Sequence, residues 1–332
     1  MNIAINGFGR IGRSVVKIAL DQGINVKTIN DIHGPKDAAY LLKYDSIYGK
    51  YSDKIKANSD SITVNGKKIR VISEMDPAKL PWKKHKIDIV VEATGVFRNP
   101  EEANKHKTSG AKYVIITAPC KEGKPDITLI PGVNQDQLQK EHEIISLGSC
   151  TTNCLVPVVK VLHDKFKIKR ALFTTVHAYT NDQNIHDSSH KKIRRGRAAA
   201  LNMIPTTTGA AESVIEVMPE LLGKINGLAI RIPVAVGSLL DIVAEVKSKI
   251  NTRKVNNAFK SVSQNKLKGI IEYSEEELVS SDIIKNPNSA VIDSLSTQVD
   301  GNLVKVLAWY DNEYGYSCRV IDLIKILKKW TR

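Results

Sequence analysis

A short apolar run, Ile3-Ala4-Ile5, leads into Gly7-Phe8-Gly9-Arg10-Ile11-Gly12 and then into a helical apolar pattern at Val15, Val16, Ile18 and Ala19. Few local patterns constrain a fold as tightly. Gly7 permits the tight turn out of the strand, Gly9 lets backbone approach a pyrophosphate, and Gly12 lets helix pack on strand, while the helix N-terminus faces the phosphates. A second strand over residues 26–29 ends in Asn30-Asp31, so a carboxylate follows the glycines by about 20 residues, where a ribose hydroxyl needs an acceptor. Asp31 also suits an ordinary turn at a strand end. Fingerprint and spacing together predict dinucleotide binding.

Further apolar strands are expected at residues 87–91, 113–116, 127–130 and 144–147, with helical or turn segments between several of them. The first half therefore reads as a Rossmann-type, doubly wound and largely parallel sheet. Two of its strands end in Glu92-Ala93-Thr94-Gly95 and Thr117-Ala118-Pro119, small polar ends at the carboxyl edge where open sheets bind ligands. Thr94, Gly95 and Thr117 are candidate cofactor neighbours, and strand-end turns account for them nearly as well.

Ser149-Cys150-Thr151-Thr152-Asn153-Cys154 follows the last of these strands and sets a cysteine at the mouth of an expected helix. Partial positive charge and unpaired N–H groups at a helix start bias a thiol towards thiolate, which makes Cys150 a candidate nucleophile. Cys154 lies one turn along and reads as a small buried residue. With only Cys120, Cys150, Cys154 and Cys318 in the chain, neither a structural zinc site nor a disulfide framework is expected, and no metal is assigned. A reducing, cytoplasmic setting fits. No apolar run reaches the roughly 18 to 20 residues of a bilayer span, so no membrane partner is expected.

Residues 172–177 form a strand pattern ending in His177, the best placed of eight histidines to act as general base beside Cys150. The stretch from Asn181 to Arg197 has no clear period and carries Lys191, Lys192, Arg194, Arg195 and Arg197, as a solvated loop or as an anion-binding, subunit-contacting one. Pro205-Thr206-Thr207-Thr208-Gly209-Ala210-Ala211 places hydroxyls and a glycine ahead of another helix, a ready phosphate cradle. Arg231 sits inside the apolar strand Leu228-Ala229-Ile230-Arg231-Ile232, where its charge wants a partner such as phosphate. Strands over 239–246 and 303–310 suggest antiparallel pairing, and residues 317–330 carry a helical stripe.

At 332 residues, 42% hydrophobic and 25% charged, the chain can build two cored domains and is not disordered. Its formal charge of +14, from 49 basic against 35 acidic residues, predicts attraction to anions. The lysines are scattered and no nucleic-acid module is recognisable, so phosphorylated small molecules are the expected partners and nucleic acid is not the primary one.

These motifs, together with Leu42-Lys43-Tyr44-Asp45-Ser46 and Trp309-Tyr310-Asp311-Asn312-Glu313-Tyr314-Gly315-Tyr316-Ser317, closely resemble phosphorylating glyceraldehyde-3-phosphate dehydrogenase along essentially the whole chain. The resemblance implies a dinucleotide-binding domain over residues 1–148 and 314–332 and an α+β catalytic domain with a mainly antiparallel sheet over 149–313. It implies that Cys150 attacks the aldehyde while His177 takes a proton, lowers the thiol pKa and stabilises the oxyanion. The hemithioacetal then gives hydride to the nicotinamide, and inorganic phosphate cleaves the thioester to 1,3-bisphosphoglycerate. Thr180, Asp182 and Arg231 would hold the substrate phosphate. Ser149, Thr151, Thr208 and Gly209 would hold the attacking phosphate, with Arg195 assisting. Arg10, Ile11, Asp31, Thr117 and Asn312 would contact the dinucleotide, and the family assembles as a homotetramer.

Met75, Gly148 and Val234-Ala235-Val236-Gly237 depart from the family pattern. Asp31 argues for NAD, whereas Gly34 after it and Ser189 in the basic loop suit acceptance of NADP as well; both serines of that loop are equally consistent with an ordinary NAD enzyme. Erythrose-4-phosphate dehydrogenase, in which water replaces phosphate, is the alternative within the class. A basic nucleic-acid or protein-binding module is the alternative outside it, and intact Cys150 and His177 argue against it.

Overall fold

The computed structural model describes residues 1–331, which form two compact units: residues 1–148 with the stretch from Ser317 onward, and residues 149–316. In the first unit, β1 (Ile3–Asn6), α1 (Arg10–Asp21), β2 (Val26–Asn30) and α2 (Gly34–Lys43) lead to a small meander of β3 (Ile55–Ala57), β4 (Ser61–Val64) and β5 (Lys67–Ile72). Next come α3 (Trp82–His85), β6 (Ile89–Glu92), α4 (Pro100–Thr108), β7 (Tyr113–Ile116), β8 (Ile127–Thr128) and β9 (Ile144–Ser146). The nine strands lie in the order β3-β4-β5-β2-β1-β6-β7-β9-β8, parallel from β5 across to β8.

The apolar runs fix this arrangement. Every residue of β1, β6 and β7 is buried, as strands covered on both faces must be. Gly12 has no alternative: a Cβ there would stand 2.1 Å from the Gly7 carbonyl oxygen, so only glycine lets α1 seat on the turn. Gly7 itself has φ 92° and would drive a Cβ to 2.6 Å from the Thr94 nitrogen. The antiparallel β3–β4–β5 edge was not foreseen from the sequence, although Asn65-Gly66, both at positive φ, is the usual signal of a two-residue hairpin.

The second unit opens with α5 (Cys150–Phe166) and continues through β10 (Ile168–Ala178), β11 (Ile204–Thr206), α6 (Ala210–Val217), β12 (Ile225–Ile232), β13 (Ser238–Val246), α7 (Thr252–Gln264), β14 (Ile271–Ser274), β15 (Ala290–Asp300) and β16 (Leu303–Tyr310). Its seven strands run β11-β12-β10-β13-β16-β15-β14, with only β10–β12 and β14–β15 parallel. Between β10 and β11 the aperiodic basic stretch is turns and one 3₁₀ turn at Ile193–Gly196.

The last helix, α8 (Tyr314–Leu327), begins three residues before the expected stripe and gives way to a 3₁₀ turn at Lys328–Trp330. Residues 314–316 group with the second unit and Ser317 onward with the first. The cause is local: Gly315 is pressed on the Asn288 backbone, where a Cβ would stand 2.7 Å from the carbonyl oxygen. Among the described residues no helix is long and apolar enough to cross a membrane, and no group of three His, Cys, Asp or Glu is placed to hold a metal ion.

Candidate active site

The helix start that carries Cys150 is built by a reciprocal cap. Ser149 Oγ accepts from Thr152 N at 3.0 Å, and Thr152 Oγ1 accepts from Ser149 N at 3.2 Å, which fixes Cys150 at the first helical position. Gly148, just before, has φ 60°, the left-handed region that glycine enters freely. Cys150 Sγ then lies 3.4 Å from His177 Nε2.

His177 is buried on β10, one residue short of the strand end, and its Nδ1 lies 2.6 Å from the Ala178 carbonyl oxygen. A carbonyl only accepts, so Nδ1 carries the proton and Nε2 presents a lone pair to the thiol. Burial, followed by the Arg231 charge, holds the imidazole down to about 3, with Arg195 adding to the effect and the Ala178 carbonyl opposing it. The resting imidazole is therefore a neutral base. Burial also pushes the Cys150 thiol up, against the Arg231 charge and the Thr151 N–H that pull it down. The expected helix-start bias towards thiolate exists, but desolvation outweighs it, so at rest the pair is thiol and imidazole.

Residues that the sequence reading passed over hold this geometry. Tyr310 Oη lies 2.6 Å from Thr175 Oγ1 and 3.0 Å from Thr151 Oγ1, and its ring stands edge-on to His177 with centroids 6.0 Å apart. Thr151 thus turns its hydroxyl inward, where it also lowers the Cys150 pKa. Ser238 Oγ accepts from Ala178 N at 3.1 Å and donates to Asn312 Oδ1 at 2.9 Å, steadying Ala178, whose carbonyl orients His177. Burial alternates along β13 and β16, and Ser238 and Tyr310 lie on the inward side.

The residues expected to bind anions fall into a linked group. Arg231, paired in register with His177 across β10 and β12, donates from Nη1 to Thr180 Oγ1 at 2.8 Å. Its Nε is buried with no hydrogen-bond partner among the described residues. Arg195 donates from Nε to Thr206 Oγ1 at 2.9 Å and from Nη2 to the Thr207 carbonyl at 3.1 Å, and it pairs with Asp182. Asp182 thereby meets a cation rather than an open space. Thr208 Oγ1 accepts from Ala210 N at 3.3 Å, and Gly209 starts α6 with no side-chain cap. Ser189 is exposed, its carbonyl 3.4 Å from Asn184 Nδ2.

In the first unit, α1 likewise follows an N-cap, Gly9, with no side-chain cap hydrogen bond, and a Cβ on Gly9 would meet nothing within 4 Å. Asp31 Oδ2 accepts from Phe8 N at 3.1 Å, and Oδ1 accepts from His33 N at 3.0 Å. The carboxylate is both turn residue and candidate ribose acceptor. Arg10 is tied to Asp45 at 2.7 Å and lies over the Tyr48 ring, next to half-buried Ile11. Gly95 has φ 71°, Thr117 Oγ1 donates to the Glu92 carbonyl at 2.9 Å, and Met75 stands exposed. These residues fit a dinucleotide: an open glycine turn, an uncapped helix start and a carboxylate at the next strand end.

A dinucleotide-binding unit followed by a unit that aims an imidazole lone pair at a thiol is the plan of a dehydrogenase that works through cysteine. The family described as "Glyceraldehyde 3-phosphate dehydrogenase, NAD binding domain" matches residues 1–100, and "Glyceraldehyde 3-phosphate dehydrogenase, C-terminal domain" matches residues 149–312. The chain is 52% identical over 328 residues to glyceraldehyde-3-phosphate dehydrogenase 2 of Bacillus subtilis, covering 98% of this chain and 96% of that one. It is 52% identical to the glyceraldehyde-3-phosphate dehydrogenase of Geobacillus stearothermophilus, covering 97% of each chain. With that of Borreliella burgdorferi it shares 48% identity over 99% of this chain and all of the other. The chain belongs to the glyceraldehyde-3-phosphate dehydrogenase family.

Proposed function

We propose that this chain oxidises glyceraldehyde 3-phosphate with NAD and inorganic phosphate to 1,3-bisphosphoglycerate, with Cys150 as nucleophile and His177 as its base. The observation that carries the assignment is the 3.4 Å approach of His177 Nε2 to Cys150 Sγ with the tautomer fixed by Ala178. Sulfur attacks the aldehyde carbon as the thiol proton passes to Nε2, which returns it to the new oxyanion. Bound NAD supplies the hydride acceptor for the carbon so formed. His177 takes the hydroxyl proton as the carbonyl reforms, leaving a thioester on Cys150. Phosphate attack then releases the acyl phosphate, and His177 gives the proton back to sulfur.

Arg231, with its unpartnered buried Nε, and Thr180 receive the substrate phosphate; Asp182 acts by orienting Arg195. The uncapped start of α6 at Gly209, with Thr208 and Ser149, receives the attacking phosphate. Thr151 serves the nucleophile through Tyr310 and the thiol. Gly7, Gly9 and Gly12 with Arg10, Ile11, Asp31, Thr94, Gly95 and Thr117 hold the dinucleotide, and Asn312, expected from the resemblance to contact it as well, is held by Ser238 and Gly237. NADP is accepted beside NAD: Gly34 at φ 80° leaves open space beyond Asp31, and Ser189 offers an exposed hydroxyl. The working form is a homotetramer, supported by the exposed Ile185 and Ile193 of the basic loop and Leu201 and Met203 just after it. Four free thiols suit a cytoplasmic enzyme.

Reduced-cofactor absorbance with glyceraldehyde 3-phosphate tests the reading. Turnover should need phosphate, and phosphate-independent turnover would redirect the assignment to a hydrolysing aldehyde dehydrogenase. A kcat/KM preference for NAD above about 1,000-fold, roughly 4 kcal/mol, would remove NADP.

A further inference from the structure

Beneath the glycine turn lies a buried polar chain that the reaction does not use. Glu74 N donates to Asn30 Oδ1 at 2.9 Å, and Asn30 Nδ2 donates to the Glu74 carbonyl at 2.8 Å and to Asn6 Oδ1 at 2.6 Å. Asn6 Nδ2 in turn donates to Glu92 Oε2 at 2.6 Å. From the other side, Trp82 Nε1 donates to His106 Nδ1 at 3.0 Å, and His106 Nε2 stands 3.0 Å from the same Glu92 oxygen. Asn6, Asn30, Glu92, Trp82 and His106 are all buried.

The polarity of this chain is set at both ends by groups that cannot reverse. The Glu74 backbone N–H fixes the amide orientation of Asn30, and that fixes Asn6 with its NH₂ towards Glu92. An indole N–H only donates, so His106 Nδ1 accepts and Nε2 carries the proton towards Glu92. Position 92 is thus faced by donors from both sides. Its second oxygen, Oε1, accepts from Thr94 N at 2.8 Å and from the Thr94 hydroxyl. Only a carboxylate accepts at all of these points.

The elements so joined are the ones that shape the dinucleotide edge. Asn6 ends β1 and precedes Gly7, Asn30 ends β2 and precedes Asp31, and Glu92 ends β6 two residues before Thr94. The Thr94 backbone is what a Cβ on Gly7 would strike, so the carboxylate sets the backstop of the phosphate-binding turn. We infer that Glu92, with His106 as its oriented partner, is a positioning pair for the dinucleotide: it registers the ends of β1, β2 and β6 so that the glycine turn and Asp31 keep their binding geometry. The inference rests on reading the first unit as the NAD site.

The test uses the full-length enzyme and NAD titrations followed by intrinsic fluorescence, beside steady-state kinetics. Glu92→Gln places an NH₂ against N–H or O–H donors whichever way it turns, and should weaken NAD binding about tenfold or more, on the way to the roughly 100-fold that a 1 Å misplacement costs. KM for NAD should rise while kcat at saturating NAD stays within about threefold. His106→Leu should act in the same sense, whereas His106→Gln keeps a donor at the same reach and should bind NAD within about threefold of wild type. Ile62→Ala in the core of β4 is the control for mere destabilisation, because it should lower the melting temperature and leave NAD affinity unchanged. Glu92→Gln binding NAD as wild type does, or losing affinity only as much as Ile62→Ala at equal thermal loss, would overturn the inference. Wild-type protein that fails to bind NAD would overturn the cofactor reading beneath it, and is seen before any variant is made.

Discussion

Replacing His177 with Asn isolates the base, because an Asn amide can still donate to the Ala178 carbonyl as Nδ1 does while nothing replaces Nε2 beside the thiol. A lost general base costs about 100- to 10,000-fold, or roughly 3 to 5 kcal/mol of transition-state stabilisation. The expected result is that loss in kcat/KM with NAD affinity nearly unchanged. Burial makes a second, independent prediction. The imidazole is held to about 3 in the folded protein against an ordinary 6.5, so below that ordinary value the unfolded chain binds a proton that the folded one refuses. Stability contributed by keeping His177 neutral is present above pH 6.5 and is lost as pH falls towards the folded value, by at most roughly 4 to 5 kcal/mol. The Asn variant cannot titrate and should lose less stability over that window. Urea unfolding at pH 7 and pH 4, at one protomer concentration, compares the two proteins. Wild-type turnover in the variant would remove His177 from its role, and an identical pH dependence of stability would refute the buried neutral imidazole.

Cys154 and Cys318 are buried, and of the two partly exposed thiols, Cys120 and Cys150, it is Cys150 that faces the His177 lone pair, so one equivalent of iodoacetamide should abolish turnover, and Cys150→Ala should be inactive; labelling spread evenly over the four thiols would contradict this. Asp45 gives a pH signature of opposite chemistry and similar form. Its burial, which alone would raise the carboxyl, is outweighed by the N–H groups of Tyr48 and Ile47 and by Arg10, so its folded pKa lies below the ordinary 3.8. That contribution is complete above 3.8 and is lost as pH falls through the folded value, so Asp45→Asn should cost about 1 to 2 kcal/mol at pH 7 and progressively less below pH 3.8 in denaturant titrations.

What the sequence made legible is what local chemistry dictates. The glycine turn announces itself because Gly12 has no substitute, and β7 and β9 follow from apolar runs bounded by turns. The meander from β3 to β5 was harder to see, since its strands are only three to six residues long and only Ile62, Val64, Ile69 and Val71 mark their buried face. At the site, Cys150 and His177 stood out as reactive types at element ends. Tyr310, Ser238 and Glu92 did not, because each is tied to a residue far along the chain, Tyr310 to Thr151, Ser238 to Ala178 and Glu92 to Asn6, and a long-range hydrogen bond leaves no periodic trace. The protonation state was the largest revision. A helix start is visible in sequence and lowers a thiol pKa, but desolvation is a property of the packed fold and here has the larger effect.

That revision ties catalysis to the substrate's phosphate. Arg231 depresses both His177 and the Cys150 thiol, and Arg195 depresses His177 as well, so the imidazole feels both charges. A phosphate bound on Arg231 and Arg195 offsets their charge and makes the imidazole a stronger base while the aldehyde is in place. Binding energy from a group remote from the reacting carbon would then be expressed in the chemical step rather than in affinity alone. The expected outcome is that glyceraldehyde, lacking the phosphate, falls in kcat by about tenfold or more as well as rising in KM, and that added phosphite, an anion of similar shape, restores part of kcat. A substrate series in which the phosphate alters KM and leaves kcat untouched would show that the arginines only bind, and that His177 needs no help from them.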